Sequence, residues 1–141
     1  MRLRTRFIAP AVIAAAAVFG FAGPAMAGSP HFVGTPTFTT SGSTITVAAK
    51  EAGLGDEAQI NVTMTADALC INGGGNHPKA VNKTTATAEG DFPVQNGKAD
   101  YTITGTAAFQ PACSPPMTVQ FQNVKVTDTT NNLTATAVPG P

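Results

Sequence analysis

The residues best placed to do chemistry lie in one short run, Cys70-Ile71-Asn72-Gly73-Gly74-Gly75-Asn76-His77-Pro78-Lys79-Ala80-Val81-Asn82. A histidine can act as a general base or metal ligand, and a glycine run near a lysine can bring backbone N–H groups onto a phosphate. Neither chemistry has its companions here. A phosphate cradle needs Gly-x-x-x-x-Gly-Lys-Ser/Thr opening a helix, whereas Gly75 leads into Asn76-His77-Pro78 and no helical period follows. A catalytic base needs a nucleophile and an orienting acid, and the chain offers no Gly-x-Ser-x-Gly, His-Glu-x-x-His or paired-carboxylate pattern. His77 reads as a loop residue that Pro78 keeps extended, and His31 as a solvated or edge-packed one. No catalytic residue, metal or cofactor is expected, and the chain is read as a non-enzyme.

What the run does suit is a connection between strands. Glycine adopts backbone angles closed to other residues, and asparagine side chains can satisfy loop N–H and C=O groups that no strand partner reaches. A polar loop anchored in this way serves as scaffold or as a recognition surface. In the second case Asn72, Asn76, His77 and Asn82 are the candidate contact residues.

Cys70 and Cys113 are the only cysteines. In an exported chain such a pair reads as a disulfide, since a metal or redox role needs more ligands or a Cys-x-x-Cys. The closed loop of roughly 44 residues corresponds to about 4 kcal/mol of chain entropy, less any native strain. Around the second cysteine, Pro111-Ala112-Cys113-Ser114-Pro115-Pro116-Met117 is stiffened by proline. It either carries the chain across the end of the fold or holds an extended segment ready for a protease cleft, rigidity lowering the ordering cost of binding.

The elements that position these residues read as strands. After Ala27 the chain carries twenty threonines, a β-branched type suited to a half-buried pleated surface. Ile45, Val47 and Ala49 alternate on one face. Ala58, Ile60, Val62, Met64, Ala66 and Ala68 do so over a longer stretch whose parity reaches Cys70 and points it inward. Tyr101 and Ile103 alternate with Asp100, Thr102 and Thr104, and Asn96-Gly97 before them is a type I′ hairpin signal. Pro93 cannot donate a ladder hydrogen bond and marks its arm as an edge. Met117, Val119 and Phe121 have the opposite parity to Val124 and Val126, so a bulge near Gln122-Asn123 is required.

Strands are therefore expected near 35–40, 43–49, 57–69, 82–89, 98–106, 117–127 and 132–138, and the best helical competitor is a single turn over Ala49–Leu54. The fold class is all-β: an immunoglobulin-like Greek-key β-sandwich of about seven strands with one disulfide. It departs from immunoglobulin domains in having no Trp and in placing Pro111 where a tyrosine corner would sit. With five phenylalanines, one tyrosine and many alanines after Ala27, the core is light and the disulfide should matter to stability.

The N-terminus reads as an export signal. Arg2, Arg4 and Arg6 precede an apolar run from Phe7 to Ala22, and Ala25-Met26-Ala27 supplies a small-x-small cleavage site. The run of about 16 residues is short of the ~20 a bilayer span needs. Residues 1–27 are thus expected to be a signal peptide and 28–141 a single domain, secreted and outside the membrane after cleavage. That domain keeps five scattered lysines and no arginine against eight acidic residues, a net charge of −3. Binding to nucleic acid, which requires clustered cations on phosphates, is not expected.

Lys50-Glu51-Ala52-Gly53-Leu54-Gly55, the Cys70-x-Asn72-x-Gly74-Gly75-Asn76-x-Pro78 core, Asn82-Lys83 and Val126-Thr127-Asp128 with Thr130-Asn131 together resemble an uncharacterised family of small secreted actinobacterial proteins. The resemblance covers most of the chain after Ala27. It implies a secreted protein of a Gram-positive bacterium and carries no catalytic residue or substrate. The function expected from the residues is surface binding to an extracellular protein or cell-wall polysaccharide. The alternative is inhibition of secreted proteases through loop 111–117.

Overall fold

The computed structural model describes residues 28–72 and 82–141. The expected leader, 1–27, lies outside them. Among the described residues nine strands are formed: β1 His31–Phe32, β2 Thr37–Ser41, β3 Thr44–Ala52, β4 Gln59–Ile71, β5 Lys83–Pro93, β6 Ala99–Thr106, β7 Thr118–Asp128, β8 Leu133–Thr136 and β9 Val138–Pro139. Seven of these are the expected strands. The other two, β1 and β9, have two residues each and are too short to leave an alternation in sequence. β3 runs on through Ala52, so no helical turn forms at Ala49–Leu54.

The strands form two sheets. In the first, β3 is flanked on one side by β6 and on the other by β1 and β2, placed end to end along it. β9 joins β2 in parallel; the other pairings are antiparallel. The second sheet has the order β5-β4-β7-β8. Alternation along each strand sends one face of each sheet into a shared core. Ile45 and Val47 of β3 and Tyr101 and Ile103 of β6 meet Ile60, Val62 and Met64 of β4 and Val124 and Val126 of β7. The result is a two-layer β-sandwich closed by apolar contact between sheets. Each large side chain buried there contributes about 1.5–3 kcal/mol relative to exposure.

Local sequence explains the turns. Asn96 and Gly97 both take positive φ, 52° and 73°, and Gln95 and Lys98 exchange both backbone hydrogen bonds at 2.8 and 3.0 Å. That is the type I′ hairpin, whose twist matches the flanking strands. Pro93 ends β5, which is an edge strand of its sheet. Across the hairpin Phe92 and Tyr101 stack with centroids 4.7 Å apart. Further along, β5 and β6 approach closely: a Cβ on Gly105 would stand 2.6 Å from the Met64 methyl and 3.3 Å from the Thr87 carbonyl oxygen.

The phase change in β7 is also real. Two steps along β4, Thr65 to Asp67, face three along β7, Lys125 to Gln122. Gln122 and Asn123 are both exposed and Asn123 has φ 52°, which re-aims Val124 and Val126 into the core beside Phe121.

Candidate functional site

Cys70 is buried in β4 and is bonded to Cys113 in the connection between β6 and β7, with Cα atoms 5.7 Å apart. Cys70 thus points inward and is paired with Cys113, and the bridge ties the end of β4 to the segment that leads into its neighbour β7. The Met117 sulfur lies 3.7 Å from Cys70 Sγ; a disulfide sulfur has no proton to give, so this is a packing contact. Of the four candidate loop residues, Asn72 is exposed and Asn82 half-buried, standing at the two ends of the glycine-rich segment. Asn76 and His77 lie outside the described residues. In the proline-rich connection the Met117 N–H donates to the Ser114 carbonyl at 3.0 Å. Ser114-Pro115-Pro116-Met117 is thus a closed turn at the end of that connection.

The two outer faces differ in chemistry. On the first sheet, the register sets Ser41 beside Thr44 and Thr106, Thr39 beside Thr46 and Thr104, and Thr37 beside Ala48 and Thr102. Eight of these nine outward positions carry a hydroxyl and none carries a charge. Strand geometry spaces them about 4.8 Å across the sheet and about 6.8 Å along it. Thr46 and Thr104 hydroxyls bond to each other at 2.9 Å across β3 and β6, and the outward row after that of Thr37, Ala48 and Thr102 holds the Lys50–Asp100 ion pair. On the second sheet Asp67, Glu89, Asp91 and Lys125 interrupt the threonines. There Asn61 donates both amide hydrogens, to Glu89 at 3.2 Å and Asp91 at 2.9 Å, and accepts from the Thr129 hydroxyl at 2.7 Å. Its side chain is occupied in joining β4, β5 and the turn after β7.

A third cluster was missed in sequence. Glu51 on β3 and Asp128 at the end of β7 are 1% and 0% exposed, the buried charged-type residues among those described. The Tyr101 hydroxyl donates to Glu51 Oε1 at 2.5 Å, while Glu51 Oε2 is enclosed without a donor. Asp128 Oδ1 accepts the N–H groups of Thr130 and Asn131 at 2.8 and 3.2 Å, shaping the turn to β8. Asn131 Nδ2 donates to Asp128 Oδ2 at 2.7 Å and to Glu57 Oε2 at 3.1 Å, which brings in the β3–β4 crossover.

Burial pushes the Glu51 carboxyl up to about 7; the Tyr101 hydrogen bond opposes the rise, and the neighbouring carboxyls of Asp128 and Glu57 add to it. Burial, then the Glu51 carboxyl, hold the Tyr101 hydroxyl well above the ordinary phenol range, so it stays a donor. Paired carboxylates do exist in this molecule, assembled by the sandwich from distant positions. A signal was present: Glu51 continues the parity of Ile45, Val47 and Ala49, and Asp128 that of Val124 and Val126.

No protein-family model, curated protein or solved structure matches this chain.

Proposed function

We propose that the mature chain is an exported, non-catalytic β-sandwich that works by surface contact with an extracellular or cell-wall partner. The observation that carries this reading is the outer face of the first sheet, where eight hydroxyls fill three successive cross-strand rows, bounded at one end by the Lys50–Asp100 ion pair. Each hydroxyl both donates and accepts, and each threonine adds a methyl group beside it. Such a face suits an extended, uncharged, hydroxyl-bearing partner, of which wall polysaccharide is the fitting class. Aromatic platforms for sugar rings are scarce, there being no Trp, so the contact is by hydrogen bonds over a broad area. The export signal and the Cys70–Cys113 bridge, which suits an oxidising compartment, support the extracellular address. The immunoglobulin-like Greek-key description belongs to this proposal as well, supported by β6 returning beside β3 and β7 beside β4.

The test is co-sedimentation of the folded domain with insoluble cell-wall polysaccharide. Retention is expected, and Thr46→Glu with Thr104→Glu should abolish it while leaving the far-UV spectrum and the disulfide intact. Retention that ignores both substitutions, or none by any wall fraction, would overturn the assignment.

A further inference from the structure

We infer that Glu51 and Asp128 form a proton-operated clasp between the two sheets. With its proton on, Glu51 donates from Oε2 to the Asp128 carboxylate; with the proton lost to solvent, two carboxylates oppose each other and the clasp opens. The inference goes beyond the binding role and does not depend on it.

The geometry is specific. Glu51 Oε1 is already engaged by Tyr101, and Oε2 faces no donor. Asp128, buried like Glu51, is the acidic side chain that acts on the Glu51 carboxyl both by hydrogen bonding and by charge. An ionised carboxyl is an acceptor only, so this contact becomes a bond only when one partner carries a proton. Asp128 already accepts three hydrogens, from the Thr130 and Asn131 N–H groups and the Asn131 amide, so its oxygens are engaged as acceptors. The proton therefore belongs on Glu51, whose enclosure and acidic neighbours favour the neutral acid into the neutral pH range.

The charged groups around the pair leave this assignment in place. Tyr101 from β6 donates to Glu51. Glu57 from the β3–β4 crossover adds negative charge. Lys50, Lys98 and Asp100 line a depression that Glu51 also borders. The ion pairs among the described residues, Lys50 with Asp100 at 3.5 Å and Lys83 with Asp67 at 3.9 Å, do not include Glu51. A bound cation is a poor substitute for the proton: the Asn131 amide already directs its hydrogens at Asp128 and Glu57. Among the described residues no group of three or more His, Cys, Asp or Glu is arranged to hold a metal.

The clasp spans the fold at one end. Glu51 belongs to the first sheet and Asp128 to the second, and through Asn131 the same network holds the β3–β4 crossover to the turn before β8. Opening it frees that end while the disulfide still ties β4 to the β6–β7 connection.

The experiment is a carboxyl carbon-13 titration of the wild-type protein with amide hydrogen exchange at Thr130 and Asn131, corrected for intrinsic rates. Glu51 should titrate near neutrality, and protection of the two amides should fall about tenfold or more between pH 6 and 8. In Glu51→Gln, whose amide donates to Asp128 at every pH, protection should stay level. A Glu51 titration in the ordinary carboxylate range, or equal protection profiles in the two proteins, would overturn the clasp. If Glu51→Gln does not fold, the wild-type amides decide: equal protection of Thr130 and Asn131 at pH 6 and pH 8 would overturn the clasp.

Discussion

At the scale of single residues, the core among the described residues holds two carboxyl side chains, Glu51 and Asp128, and Glu51 ties stability to pH. The Glu51 carboxyl titrates near 7 when folded and at about 4.5 when not. Between these values the folded state binds more protons than the unfolded one, so stability falls as pH rises through the window and levels off above it. The separation corresponds to roughly 3 kcal/mol. Glu51→Gln should therefore flatten the stability profile between pH 5 and 8 and be the more stable protein at pH 8, as read by urea unfolding at each pH. Tyr101→Phe acts in the opposite sense. It removes the hydrogen bond that opposes the rise, so Glu51 should titrate higher still, at a cost of about 1–3 kcal/mol for the acceptor left unpaired in the core. Gly53 makes a different demand. Its φ is 74° and a Cβ would stand 2.2 Å from the Ser29 carbonyl oxygen, so a side chain there displaces the strand that begins at His31.

At the scale of elements, the bulge in β7 decides which side chains face inward. A strand with period two cannot bury Phe121 together with Val124 and Val126 unless one residue is inserted between them. Asn123 is that residue, in the left-handed region, and its amide reaches Asp67 Oδ2 at 2.9 Å. Asn123→Val should cost about 1–2 kcal/mol, because a branched side chain is strained there. Asn123→Gly should cost only the lost contact to Asp67; thermal unfolding of the two variants separates the terms. The same bulge shows why parity made so much of the fold legible. The mismatch between Phe121 and Val124 is written in the chain, as is the Asn96-Gly97 turn, because each depends on neighbours in sequence. The short strands β1 and β9 exist only through their partners β3 and β2, so no local pattern announces them. The Glu51–Asp128 pair was half legible. Parity turns both residues inward, but that they meet depends on β3 and β7 lying in facing sheets. The hydroxyl face was legible as composition only, since rows such as Thr39, Thr46 and Thr104 come from the register of three strands.

At the scale of the whole molecule, a thin core is set against one long covalent tie. Many inward positions are alanine, among them Ala66, Ala68, Ala86, Ala99 and Ala137, and each removes less apolar surface from water than the larger residues common in such cores. The Cys70–Cys113 bridge spans 43 positions, enough for about 4 kcal/mol of lost unfolded-chain entropy before strain. Both sulfurs pack on the core, and Met117 lies against Cys70, so removing the bridge also loosens the approach to β7. Replacing both cysteines by alanine should lower stability by about 2–4 kcal/mol. For a domain of this size that is a fall in Tm of the order of 10 °C or more. The native sheets do not need the bridge to pair, because β4 is hydrogen-bonded to β5 and β7 along most of its length. The double variant should thus give the same far-UV spectrum at low temperature and unfold earlier on heating. A spectrum that changes before heating would mean that the disulfide selects the fold as well as stabilising it.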